Sequence, residues 1–542
     1  MQTHDVPVLI IGGGLTGLAA SVFLSWHGIP SLLVDQHQGT SSHPKARAIN
    51  PRTTELLRGV GLEAEVAAHR SPIADNTDLV HVRTLAGAER VRLPRPQPAE
   101  IGRLSPCGWS LIDQNRLEPL LRERAEQAGG RIRYEVRAER VTVDADADGA
   151  TVVLTDRRTG AEETVRARYV IAADGNRSRI GQSLGIGHTG PGALSHLVSF
   201  FFRADLTEAL RGRRIIAAYV NNDRVKGTFM PLDNVHRWAF NVSYYPENGE
   251  HPDDFTTDRC LQLVRLGVGD PDLPVEIEST DRLPWEIAAR SAQSMRHGPV
   301  FIAGDAAHVM PPTGAFGAST GIQDAHNLAW KLSYVLRGLA GPGLLDSYDA
   351  ERRPIAELMV RQSMIRFEVR EGRAFADVAG EMLDELVMSF GYRYATGALA
   401  GATGGGLPEN PAEPTALPGS RAPHVEMVRD GRSLSVLDLF GRDFVLLGAA
   451  GADWARAAGA SAAARGLPLA TYLVGPGHEL GDPGDRWPAA YRAGPQDAVL
   501  VRPDGFVAWR ADGPRDPGAV ADALAALLYR SAEQPSLATA RD

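Results

Sequence analysis

The chain has 542 residues, 43% of them hydrophobic and 23% charged, with a formal net charge of −9. That suits about three domains of ordinary globular composition, and the negative balance argues against nucleic acid or an anionic membrane as the main partner. Two cysteines, Cys107 and Cys260, exclude a disulfide framework or a cysteine-rich metal site and fit a reducing cytoplasm.

The first apolar stretch, Val6 to Leu24, follows His4 and Asp5 instead of a basic segment. Gly12, Gly13, Gly14 and Gly17 interrupt it, which argues against a signal peptide. No other run reaches about 18 apolar residues, so a soluble protein is expected. VPVLII (6–11) predicts a buried parallel strand, and Leu15, Leu18, Ala19, Val22 and Phe23 then recur at helical spacing. SLLVD (31–35) predicts a second strand ending in a carboxylate. Around GGGLTG (12–17) this forms a βαβ dinucleotide fingerprint: Gly12 for the tight turn, Gly14 for backbone approach, Gly17 for helix–strand packing. The helix N-terminus offers amides to a pyrophosphate, and Asp35 can accept from a ribose. The fingerprint does not separate NAD from FAD.

ARYVIAADGNRS (167–178) predicts a strand ending at Asp174-Gly175. LVSFFF (197–202), IIAAYV (215–220) and HRWAFNVSYY (236–245) read as sheet. In the last, Trp238, Phe240, Val242 and Tyr244 alternate with Arg237, Ala239, Asn241 and Ser243, either a substrate-facing aromatic wall or one face of ordinary core. PVFIAGDAAH (299–308) predicts another buried strand, ending in Gly304-Asp305 where open α/β sheets bind ligands. Met310-Pro311-Pro312 stiffens the loop that follows. GAFGASTG (314–321) then leads into a helix marked by Ile322, Ala325, Leu328, Ala329, Leu332, Val335 and Leu336. Its amides are bare to an anion, or Ser319 or Thr320 caps it. His308 reads as packing or capping.

Residues 401–423 are linker-like in composition. Beyond them FVLLGA (444–449), ADWARAAGASAAARG (452–466), ATYLVG (470–475), AVLVRPDGFVAW (498–509, turning at Asp504-Gly505) and a helix over about 517–530 predict a thioredoxin-like βαβ–ββα order without a cysteine. HELGD (478–482) lacks the second histidine of a zinc protease, no GxSxG elbow occurs, and the 15 histidines offer no metal spacing, so no metal is expected.

Together GGGLTG, the Asp-Gly of AADGNRS and GDAAHVMPPTGAFGASTGIQDAHNLAWKL resemble the FAD-dependent aromatic hydroxylases, single-component flavin monooxygenases, over essentially the whole chain. The resemblance implies an α/β fold with a Rossmann-like FAD-binding domain, an interleaved antiparallel-sheet substrate domain and a cysteine-free thioredoxin-like C-terminal domain. The implied boundaries are 1–186 for the first FAD-binding part, with 75–100 contributing to the substrate domain, 187–284 for the substrate sheet, 285–400 for the second FAD-binding part and connecting helices, 401–420 for a linker, 421–530 for the C-terminal domain and 531–542 for a tail. In the family the first turn, here Gly12, Gly14, Leu15, Thr16 and Gly17, holds the FAD pyrophosphate, and Asp35 and Gln36 join the cofactor set. Asp174 and Gly175 lie near FAD and NADPH, Gly304 and Asp305 at the ribityl chain, and Pro312, Gly317, Ala318, Ser319 and Thr320 at the flavin N1–C2 edge. PKARAINPRT (44–53) supplies Arg47 for the FAD phosphate or adenosine side, and Gln114 matches a cofactor-contacting glutamine. The family's Asp-Gly segment usually ends in an arginine where Gly181 stands here, with Arg177 and Arg179 close by.

The activity so implied is FAD- and NAD(P)H-dependent hydroxylation of an aromatic, polycyclic polyketide through a flavin C4a-hydroperoxide, with O2 as co-substrate, as in tetracenomycin- and anthracycline-type hydroxylases of antibiotic biosynthesis. It names no catalytic base. A small phenol or phenylpropionate, a Baeyer–Villiger or antibiotic-inactivating monooxygenation, and a flavin-free binding protein are the alternatives. A cytoplasmic monomer or homodimer, without nucleic-acid or membrane partner, is expected.

Overall fold

VPVLII lies in β1 (Thr3–Ile11), where Val8, Leu9 and Ile10 are fully buried because neighbours cover both faces. From β1 the chain passes through α1 (Leu15–Trp26) to β2 (Ser31–Val34), then to α2 (Pro51–Gly59) and later β3 (Glu162–Ala172). β1 pairs in parallel with β2 on one side and β3 on the other, and the strand Val300–Ile302 adds in parallel outside β3. The computed structural model describes residues 3–92, 98–146, 148–278, 282–401 and 408–530; the expected tail and part of the expected linker lie outside these. No helix among the described residues is long and apolar enough to cross a membrane.

The second sheet contains β4 (His188–Arg203), β5 (Ile215–Asn221), β6 (Lys226–Pro231) and β7 (Arg237–Tyr244), with α3 (Thr257–Val268) packed on it and β8 (Leu283–Ala292) beside β4. It is mixed, which corrects the expectation of an antiparallel sheet. β5 pairs in parallel with Asp78–Val82, and the long intervening chain supplies the crossover that a parallel pair needs. Phe200, Phe202, Phe229, Trp238 and Phe240 form one face and pack with Val264 and Val268 of α3; Phe229 and Phe240 stack at 3.9 Å. The aromatic alternation in β7 is therefore core packing and not a substrate wall.

α4 (Phe316–Leu336) is buried on nearly all sides and α5 (Asp346–Glu371) packs beside it. β9 (Phe444–Ala449), α6 (Trp454–Ala464), β10 (Leu469–Val474), β11 (Ala498–Val501), β12 (Val507–Ala511) and α7 (Pro517–Leu527) follow. The strand order is β10-β9-β11-β12, with β9 and β10 parallel and the other pairs antiparallel. This sheet shares a core with α4: Phe444 meets Trp330 and Tyr334 edge-on at 5.9 and 6.0 Å. The later part of the linker-like stretch is packed. Ala416, Ser420 and Arg421 are buried, Gly419 N donates to Val507 O, and Arg421 pairs with Glu55 of α2.

Candidate functional site

The two glycine-rich turns, far apart in sequence, touch. A Cβ on Gly304 would stand 2.2 Å from Thr16 Oγ1, and one on Gly321 2.3 Å from the same atom. Thr16 thus wedges the first turn against the start of the second motif and its helix. Gly12 (φ +110°) has no room for a Cβ, which would lie 2.1 Å from Ala173 O; at Gly17 it would lie 1.9 Å from Gly12 O. Gly14 differs. The nearest atom to a Cβ there is Glu118 Oε1 at 3.9 Å, so its outer side is open. The Leu15 side chain belongs to the core.

Neither helix behind these turns has a side-chain cap. α1 begins after Gly14, and α4 after Ala315 at φ +55°. Elsewhere Asn50, Thr256 and Asp516 cap α2, α3 and α7. The expected capping by Ser319 or Thr320 is corrected: both lie inside α4, where Ser319 Oγ accepts from Asn50 N at 3.0 Å and Thr320 Oγ1 donates to Phe316 O at 2.8 Å. Gly317 and Ala318 are half-buried in the first turn, and a Cβ on Gly317 would reach Met310 Cγ only at 3.8 Å. Uncapped amides at a helix start suit an anion.

Acidic residues follow the strands behind this cleft. Asp35 Oδ2 accepts from Gly13 N at 2.6 Å and Oδ1 from His37 N at 2.7 Å; Gln36 is exposed and its carbonyl accepts from Arg157. Asp174 Oδ2 accepts from Ile180 N at 3.0 Å, while its buried Oδ1 has no partner, and burial raises its pKa. Gly175 beside it has φ +80°. Asp305 reaches solvent from among crowding protein atoms, whose desolvation raises its pKa; Pro312 is exposed beyond it. Val300–Ile302, β3, β1 and β2 are consecutive in the sheet. Their C-terminal ends therefore present Asp305, Asp174, the first glycine turn and Asp35 as one row, about 14 Å long at the ordinary strand spacing. Such a row suits an extended ligand.

Arg47 and Gln114 both have protein partners. Arg47 is 9% exposed; Nε donates to Asp113 Oδ1 at 2.7 Å, Nη1 to Pro231 O at 2.6 Å and Nη2 to Ser71 Oγ at 3.4 Å. It ties the 40s segment to the second sheet. Gln114 accepts from Ala46 N at 3.2 Å and donates to Glu118 Oε1 at 2.7 Å; Glu118 Oε2 accepts from Ser41 N at 2.6 Å beside Gly14. A Cβ on the buried Gly181 would lie 2.6 Å from Ser178 Oγ, so an arginine there would displace that hydroxyl; Arg177 and Arg179 are exposed on the same turn.

Sequence reasoning missed the group that holds the second turn. Asp324 Oδ2 accepts from Gly304 N at 3.1 Å and lies 2.6 Å from His308 Nε2, while Arg352 Nε donates to Asp324 Oδ1 at 2.8 Å. All three side chains are fully buried, and Arg352 and His308 draw the Asp324 pKa down against its burial. The signal was present: Gln323, Asp324, Asn327 and Lys331 interrupt an otherwise apolar helix, and buried polar groups need partners.

The open side of Gly14, the two bare helix starts and the unpartnered Asp174 oxygen fit a long anionic dinucleotide such as FAD. Comparison with known proteins agrees. Residues 5–363 match the family described as FAD binding domain, and residues 415–531 that described as Aromatic-ring hydroxylase, C-terminal. A 4-methyl-5-nitrocatechol 5-monooxygenase of Burkholderia sp is 43% identical, over 97% of this chain and 98% of the relative. The tetracenomycin A2 monooxygenase-dioxygenase of Streptomyces glaucescens is 41% identical, over 99% of each chain. A crystal structure of aklavinone-11 hydroxylase with FAD and aklavinone superposes with a TM-score of 0.90 at 37% identity, covering 98% of this chain and 100% of that one.

Proposed function

The chain belongs to the FAD-binding aromatic-ring hydroxylases, and on that premise we propose that it uses NAD(P)H and O2 to hydroxylate a polycyclic aromatic polyketide. Bound FAD supplies the redox centre that accepts reducing equivalents from NAD(P)H and activates oxygen for transfer to the ring. The chain's own residues bind, orient and shield. Gly12, Gly14 and Gly17 with the α1 amides are assigned to the pyrophosphate, Asp35 to the ribose and Asp305 to the ribityl chain. Gly317 and Ala318 at the α4 start are assigned to stabilising negative charge at the ring system. Asp324, Arg352 and His308 hold that second turn in place.

The observation that carries the reading is the Thr16 joint, which fixes both bare helix starts relative to each other. The second sheet faces this region: Phe201 stacks on His43 at 5.4 Å, and the Arg370 guanidinium lies 4.9 Å from the Tyr219 ring centroid. This supports a wall against which a flat substrate excludes water. The C-terminal sheet is assigned to the thioredoxin-like class on its strand order; it carries no thiol and serves as scaffold. A cytoplasmic location fits the cysteine content.

A monocyclic phenol is the second reading, favoured by the relative named for a nitrocatechol. Polycyclic and monocyclic phenols tested for stimulated NAD(P)H oxidation, with product masses, decide between them. A polycyclic phenol gaining one oxygen is the expected result. Stimulation confined to monocyclic phenols would replace the polyketide reading, and no stimulation by either would end both.

A further inference from the structure

On the side of the second sheet away from α3, three side chains form a hydrogen-bond chain with a direction. Trp285 Nε1 on β8 donates to Ser199 Oγ on β4 at 2.7 Å, and Ser199 Oγ lies 2.5 Å from Asn241 Oδ1 on β7. An indole N–H only donates, so the Ser199 hydroxyl accepts from it and gives its own proton to the amide oxygen. Ser199 Oγ can also accept a second hydrogen bond, so the orientation is set at both ends of the amide: an oxygen turned towards Met230 would face a thioether that has no proton to give. Nδ2, at the other end, meets Met230 Sδ at 3.2 Å. A thioether is a weak acceptor and uses one of two N–H groups, so the amide keeps donor capacity to offer.

The register places this donor on the face away from α3, part of which Phe367 of α5 covers beside Leu197 and Trp285. Asn241 pairs with Ser199 and Thr228, and Thr228 with Tyr219, so all four share a face with Phe201. Phe201 stacks on His43, and Pro231, next to Met230, accepts from Arg47. The opposite face is sealed by α3, whereas Asn241, Ser199 and Met230 are half-buried.

We propose that Asn241 Nδ2 is a specificity-determining donor that recognises a ring carbonyl, of the quinone type, on the aromatic substrate. Trp285 and Ser199 are positioning residues that prevent the amide from flipping. A carbonyl fits better than a phenol hydroxyl. It accepts without bringing a proton of its own, and the amide oxygen that would take such a proton is already held by Ser199. The assignment rests on the aromatic-substrate reading above.

The test titrates FAD-loaded protein with a dihydroxyanthraquinone and with the dihydroxyanthracene that lacks its carbonyl oxygens, following the flavin absorbance. Asn241→Asp, nearly isosteric and still able to accept from Ser199, and Asn241→Leu should each weaken anthraquinone binding about tenfold or more. Both should hold the anthracene within about twofold of wild type, with FAD affinity unchanged. Trp285→Phe should give a smaller loss with the same selectivity. Equal losses for both probes, no loss for either, or a wild-type protein that does not distinguish them overturns the assignment. The broader reading is tested separately: wild-type protein that oxidises NAD(P)H with an aromatic probe, while Asn241→Leu keeps the carbonyl preference, sinks the Asn241 role alone.

Discussion

The two ends of α4 treat polar groups in opposite ways. At its start the backbone amides have no side-chain cap, Gly317 and Ala318 are half-open, and Asp305 at the end of the preceding strand is exposed. Further along, every formal charge is matched. Lys331 Nζ donates to Glu351 Oε2 at 2.7 Å, Arg502 Nη1 to Glu351 Oε1 at 2.7 Å, and Arg502 pairs with Asp504, all essentially without solvent exposure. Asn327 and Trp330 both donate to Asp504 Oδ2 at 3.2 Å, so the β11–β12 turn is built into the helix it covers. The bare amides at the start of α4 suit a ligand, and the matched charges further along make that part scaffold.

The largest expected effect breaks the saturated end. Arg502→Met leaves the Glu351 and Asp504 carboxylates buried beside a single lysine, and should lower unfolding stability by about 3–5 kcal/mol. FAD affinity of the folded fraction should change little. A denaturation midpoint that hardly moves would mean the network contributes no net stability.

Gly14→Val tests the open end. A Cβ there meets nothing closer than 3.9 Å, so the FAD-free protein should keep its stability within about 1 kcal/mol. The side chain would stand where the pyrophosphate approaches, and FAD should bind about a hundredfold more weakly. Equal loss of folding and binding would show Gly14 to be a packing glycine like Gly17.

Acid should loosen the scaffold further. Burial lowers the pKa of His27 to about 4 and of His326 to about 3, from 6.5. The unfolded chain therefore takes up these protons first. Stability from both histidines is full above pH 6.5 and declines as pH falls towards these values, by up to about 1.4 kcal/mol per pH unit for each. Unfolding measured at pH 7 and pH 5 should show this slope, reduced in His326→Gln; an unaltered slope in that variant would remove His326 from the account.

The smallest effect belongs to the thiols. Cys107 and Cys260 are buried, and burial raises both pKa values, so neither forms a thiolate at neutral pH. The double variant Cys107→Ser, Cys260→Ser should transfer hydride from NAD(P)H to FAD at nearly the wild-type rate in stopped-flow. A large loss in well-folded protein would require a thiol in the reaction.

Local pattern made much of the fold legible. VPVLII, PVFIAGD and the apolar spacing after Gly321 produced β1, the strand Val300–Ile302 and α4, since each rests on burial or periodicity within a few residues. The glycine positions were legible for the same reason, because close approach and positive φ allow few other residues. The face of β7 was not. An alternating strand shows that its sides differ without showing which one meets α3.

Alone, then, the sequence determined the strand–turn–helix units, their glycines and the carboxylates after the strands. Tertiary structure decided the partners. Thr16 became a wedge between two distant glycines, Arg47 a strut to Asp113 and Pro231, and a linker-like segment the seat of the Arg421–Glu55 pair. The physical reason is range. Periodicity and backbone conformation act over a few residues, whereas buried polar groups must find partners wherever the folded chain brings them.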